Sequence, residues 1–124
     1  MIYIHDQAEP FFLQGNKDMA LLFLHGFTAS PSEVRTVAEK IHAASGYTVS
    51  GPLLPGHGSH PSFLNATGYS DWYRTVEDEL SFLQQHYANV YVAGLSMGGL
   101  LAVYAGLYHA GLQGGLRALR PAPL

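Results

Sequence analysis

The stretch Gly94-Leu95-Ser96-Met97-Gly98 sets a serine between glycines placed two residues to either side. Upstream, Asn89-Val90-Tyr91-Val92-Ala93 is short, aromatic and β-branched, and reads as a buried strand. Downstream, residues 99–108 are longer and rich in Leu and Ala, and read as a helix. A strand passing straight into a helix turns so tightly that side chains at 94 and 98 would collide, so glycine is needed at both. The turn lifts the Ser96 hydroxyl to the carboxyl edge of a sheet, over a helix N-terminus whose free N–H groups stabilise negative charge. The chemistry available to such a hydroxyl is attack on an acyl carbon, with a covalent acyl intermediate. The plainer alternative is a glycine-rich turn whose serine only caps the helix.

A second motif stands earlier in the chain. Met19 to Leu24 is an unbroken apolar run, suited to a strand covered on both faces. It ends in His25-Gly26, and a loop leads to a well-signalled helix over residues 31–44. Ser30, Pro31 and Glu33 have the spacing of a capping box with proline at the first helical position. Val34, Val37, Ala38 and Ile41 form one helical stripe, and Gly46 is placed to end the helix. His25 reads as a prop that holds the loop by hydrogen bonding rather than as a base.

These motifs carry a family resemblance. Leu24-His25-Gly26-Phe27-Thr28-Ala29-Ser30-Pro31, Leu54-Pro55-Gly56-His57-Gly58, the Asp71-Trp72 pair and Gly94-Leu95-Ser96-Met97-Gly98-Gly99 resemble, in type and order, the N-terminal half of an α/β-hydrolase of the carboxylesterase and monoacylglycerol-lipase group. The resemblance covers about residues 18 to 110. It implies an α/β fold: the first portion of a mostly parallel sheet flanked by helices. It implies Ser96 as nucleophile, with the Phe27 and Met97 backbone N–H groups as an oxyanion hole, and a small-molecule carboxylic ester as substrate. Two such donors typically contribute a factor of about 100 to 1000 each. No cofactor is implied, because acyl transfer by serine needs none. Aminopeptidases and dehalogenases share the fold, although dehalogenases place a carboxylate where Ser96 stands.

The triad of this fold runs serine, acid, histidine in chain order. The residues after Ser96 contain no Asp or Glu, and their single histidine, His109, closes the following helix. At about 1.5 Å per residue the helix puts His109 about 20 Å from Ser96. His57 and His60, in the loop 55–61, are not expected to reach Ser96, and no Cys or Glu stands near them to complete a metal ligand set. His5, His42 and His86 read as surface or helix-end residues. With its base missing, Ser96 is expected to turn over ester slowly or not at all. The alternative is a non-catalytic fragment that binds ligand or complements a C-terminal partner.

The supporting elements follow from pattern. The chain opens with an expected hairpin involving Tyr3 and Phe11-Phe12-Leu13, and residues 15–18 turn into the apolar strand. Residues 47–50 form the next strand, and a loop holding Pro52, Pro55 and Pro61 is expected to be irregular. Ser70 is expected to cap a helix whose apolar stripe is Trp72, Val76, Leu80, Leu83 and Tyr87, with Glu77, Asp78 and Gln85 in water. Trp72 reads as core in preference to pocket lining. Strands alternating with helices argue a parallel sheet with right-handed crossovers.

Residues 1–110 thus read as half of a hydrolase domain and 111–124 as an irregular tail unlike the family, as an interrupted or frame-shifted gene would produce. Without later strands the strand before Ser96 would expose an unpaired edge, to be covered by a C-terminal hydrolase half or a second copy. A net charge of −3 over 124 residues provides no basic surface for nucleic acid. The absence of cysteine excludes disulfides and fits a reducing cytoplasm. No secretory signal or membrane span is visible.

Overall fold

The computed structural model describes residues 8–16 and 18–112. Four strands and four helices follow one another as β1 (Phe11–Leu13), β2 (Met19–Leu24), α1 (Ser32–Ser45), β3 (Thr48–Gly51), α2 (Pro61–Asn65), α3 (Tyr69–His86), β4 (Asn89–Gly94) and α4 (Met97–Tyr108). The sheet order is β1-β3-β2-β4. β2 is parallel to both β3 and β4, while β1 runs antiparallel to β3. The sheet is therefore mixed but mostly parallel, with β4 at one edge among the described residues.

Each face of the sheet is covered because β2 is apolar on both. Ala20, Leu22 and Leu24 join Val76, Leu80, Leu83 and Leu101 of α3 and α4 in one core. Phe23, one step out of phase, packs with Val34, Ala38 and Val49 beneath α1. The α3 stripe from Trp72 to Tyr87 is buried as its spacing demands, and Glu77, Asp78 and Gln85 face water. Asn16 shapes the entry to β2, its Oδ1 accepting the Asp18 and Met19 N–H groups at 3.1 and 3.3 Å. Gly46 ends α1 in the left-handed region at φ 74°, its N–H donating to the His42 carbonyl.

The structure corrects several expectations. β1 pairs antiparallel with β3, and the expected hairpin partner around Tyr3 lies outside the described residues. Val37 is exposed, so the α1 stripe narrows to Val34, Ala38 and a half-buried Ile41. Pro61 does not keep its loop irregular: it opens the short helix α2, where a missing N–H is harmless. Ser70 does not cap α3. Gly68 holds that position, and the Asp71 carboxylate accepts its N–H at 2.9 Å. The segment 113–124, expected to be irregular, lies outside the described residues.

Candidate active site

β2 and β4 are paired in register to their ends, Phe23 opposite Ala93 and Leu24 opposite Gly94. The ladder continues one step further, with the Leu95 N–H donating to the Leu24 carbonyl at 3.1 Å. The loops that carry Phe27 and Ser96 thus leave the carboxyl edge of the sheet side by side, where open α/β folds bind their ligands.

The turn at Ser96 is sharp. Ser96 has φ 54° and ψ −119°, a backbone state that costs a residue with a side chain about 1–3 kcal/mol. A Cβ at Gly94 would lie 2.2 Å from the Gly98 carbonyl carbon, and one at Gly98 would lie 2.3 Å from the Leu24 carbonyl oxygen. The two glycines therefore let the turn close on itself and seat the start of α4 against the end of β2. Ser96 is exposed, and its side chain makes no capping bond to α4, so the capping alternative does not describe it.

Phe27 lies across from this turn, its ring exposed, and Thr28 beside it has a positive φ of 64°. Neither the Phe27 nor the Met97 N–H has an acceptor among the described residues. Gly26 between them and β2 is held on both sides. Its N–H donates to Glu33 Oε1 at 2.7 Å, and its carbonyl accepts from His25 Nδ1 at 2.8 Å and from the Ala29 N–H at 3.1 Å. The capping box expected at the start of α1 does not form. Pro31 occupies the cap position, Ser30 Oγ pairs with Ser32 Oγ, and Glu33 reaches across the loop to Gly26 instead.

His25 is fully buried and its bonds define its tautomer. Nδ1 carries the proton donated to Gly26, so Nε2 accepts the Leu54 N–H at 3.1 Å. Burial, opposed by the Gly26 carbonyl and aided by nearby His57, lowers its pKa to about 4. It is a neutral prop that ties the loop after β2 to the loop after β3, as its position in the sequence suggested.

His57 was not expected at the site, yet it joins an aromatic cluster with His25, Phe27 and Trp72. Its ring packs edge-on against His25 (centroids 4.9 Å apart), Trp72 (5.5 Å) and Phe27 (5.9 Å). Nδ1–H donates to the Pro55 carbonyl at 3.1 Å, and burial lowers its pKa. Nε2 is buried without a partner among the described residues. Trp72 is core, but it also braces this cluster, its indole N–H reaching Pro55 O at 3.0 Å and Thr67 Oγ1 at 3.1 Å. His60 caps α2, and His109 pairs with Gln84 at the far end of α4. No described histidine has a hydrogen bond to Ser96. Among the described residues no three His, Cys, Asp or Glu side chains group as metal ligands. Nor is any described helix long and apolar enough to cross a membrane.

Two residues of this region escaped sequence reasoning. Glu33 carried a signal that fitted local capping better than a contact seven residues back, and the role of His57 depends on Trp72, which arrives from another helix.

Comparison with known proteins agrees with this geometry. The Alpha/beta hydrolase family pattern matches residues 21–124. The chain is 40% identical over 107 residues to the thermostable monoacylglycerol lipase of Bacillus sp. (strain H-257), covering 86% of this chain and 42% of that one. It is 36% identical over 99 residues to a carboxylesterase of Bacillus subtilis (strain 168), covering 79% and 39%. Among solved structures, one from work on LipS and LipT, two metagenome-derived lipolytic enzymes, superposes with a TM-score of 0.79 at 38% identity, covering 84% of this chain and 42% of that one. MenH from S. aureus superposes at 0.65 with 26% identity, covering 84% and 39%. The chain thus spans about two fifths of the length of the curated relatives it matches. With its matched residues, its sheet order and its strand-to-helix turn in agreement, the chain belongs to the alpha/beta hydrolase family.

Proposed function

We propose that this chain carries the nucleophile and oxyanion hole of a serine hydrolase acting on small-molecule carboxylic esters. Ser96 attacks the acyl carbonyl, the alcohol departs, and water later releases the acid from the acyl-enzyme. The Phe27 and Met97 amides receive the developing oxyanion, helped by the N-terminus of α4. The observation that carries this reading is an exposed serine at φ 54° beside two backbone amides that have no acceptor among the described residues. The lipase and carboxylesterase relatives support an ester as the substrate.

The acid and the histidine base come from outside the described residues. The described residues alone hold Ser96 as a weak nucleophile, with at most about 1000-fold acceleration over water from the oxyanion hole and binding. A segment carrying both groups, seated on the β4 edge that no other described strand pairs, restores turnover. The cysteine-free sequence supports a reducing compartment such as the cytoplasm.

The test compares wild type with Ser96→Ala on p-nitrophenyl acetate and butyrate, and by labelling with a fluorophosphonate. Labelling confined to Ser96 is the expected result. Equal ester hydrolysis by both proteins, or labelling that survives Ser96→Ala, removes the catalytic reading in favour of a non-catalytic, ligand-binding half-domain.

A further inference from the structure

We propose that Glu33 is a positioning residue for acyl transfer, holding the loop after β2 so that the Phe27 amide faces the oxyanion. This rests on the reading of Ser96 as nucleophile. The Gly26 carbonyl and the Phe27 N–H belong to one planar peptide and point in opposite directions. Pinning that carbonyl to His25 Nδ1–H and the Ala29 N–H therefore aims the Phe27 N–H the other way. The preceding peptide is pinned by the 2.7 Å bond from the Gly26 N–H to Glu33 Oε1. Two successive peptide planes are thereby fixed, just before a residue with a positive φ, Thr28.

Glu33 is the only side chain bonded to the Gly26 N–H among the described residues. It stands in the first turn of α1, whose positive end offsets a carboxylate so close to a developing oxyanion. Its own helix does not need that acceptor, because the Glu33, Val34 and Arg35 N–H groups already donate to the Ser30 and Pro31 carbonyls. The same Gly26 lies against Ser96, since a Cβ built on it would sit 3.4 Å from the Ser96 Cβ.

The experiment uses the 124-residue chain as wild type, Glu33→Ala and Glu33→Gln, and reads two quantities. The first is amide hydrogen exchange at Gly26, with the amides of α3 as the control for global stability. The second is the rate of fluorophosphonate labelling of Ser96. Removing a hydrogen bond to a charged acceptor should speed Gly26 exchange and slow labelling about tenfold in Glu33→Ala. Glu33→Gln keeps an acceptor oxygen and should stay within about threefold of wild type in both. Unchanged Gly26 exchange in Glu33→Ala overturns the clamp, and so does wild-type labelling despite faster exchange. A Glu33→Gln variant as slow as Glu33→Ala overturns it too, since charge and not placement would then matter. If wild type labels too slowly to read, as a serine without its base can, the exchange measurement alone decides the clamp.

Discussion

Gly26 and Ser96 face each other across the gap between two loops, with room for one methyl group and no more. A Cβ at Gly26 would lie 3.4 Å from the Ser96 Cβ and 3.3 Å from Glu33 Oε1, close contacts that small shifts relieve. Gly26→Ala should therefore fold with a loss below about 1 kcal/mol, yet place a methyl group where an acyl carbonyl must enter. Urea titration beside fluorophosphonate labelling checks this: near-wild-type stability with labelling slowed at least several-fold is expected.

The turn at Ser96 tolerates far less. At Gly94 the added Cβ would meet backbone atoms of Gly98 at 2.2 Å, and backbone cannot swing aside as a side chain can. Gly94→Ala should lose about 3 kcal/mol or more, or fail to fold. Gly68→Ala is the control, because nothing lies within 4 Å of its Cβ position, and it should lose less than about 1 kcal/mol. Urea midpoints of the two variants measure the contrast.

Acid should weaken the fold through its buried histidines. His25 has a pKa of about 4 in the fold against an ordinary value of 6.5, and burial lowers His57 in the same direction. The unfolded chain therefore takes up protons that the native state refuses, and stability falls as pH drops from 6.5 toward 4. Above pH 6.5 both states are neutral at these rings and the effect vanishes. His25 alone accounts for a loss of about 3 kcal/mol across that window. Chemical denaturation at pH 7.5 and 5 reads the loss, and an NMR titration of the His25 ring should give a midpoint near 4. A midpoint near 6.5 would refute the buried, neutral assignment.

Tyr73 offers a change in the opposite direction. Its hydroxyl is buried with no partner among the described residues, while its ring packs edge-on against Tyr104 at 4.6 Å. Tyr73→Phe removes the unsatisfied group and keeps the ring, so stability should hold or rise by about 0 to 1 kcal/mol. A loss above 1 kcal/mol in thermal or urea unfolding would mean that the hydroxyl has a partner.

The β4 edge and the outer face of α4 should make the chain associate. β4 pairs only with β2 among the described residues, and Leu100, Leu107 and Tyr108 on α4 are more than 60% exposed. An unpaired strand edge beside an apolar face favours intermolecular contact. Light scattering should show association that rises with concentration, reduced by Leu100→Lys with Leu107→Glu. A monomer at all concentrations would contradict this.

Much of the molecule could be read before any coordinates. The apolar run 19–24, the α3 stripe and the glycine spacing around Ser96 are local patterns, and each appears where its period or turn chemistry requires. Failures came where a residue had two competing partners. Glu33 could cap its own helix or bond Gly26, and Ser70 lost the cap of α3 to Gly68 with Asp71. Pro61 was compatible with a loop or a helix start, and only the following turn decided it.

Period and steric exclusion act between near neighbours, so residue order alone determined which segments become strand, helix and sharp turn, and which serine stands at the bend. Tertiary structure decided what depends on distant segments meeting: the pairing of β2 with β4 that sets Phe27 beside Ser96, the reach of Glu33 to Gly26, and the closing of His25, His57 and Trp72 into one buried cluster. Those contacts arise from the packing of whole elements, and no stretch of sequence encodes such a distance by itself.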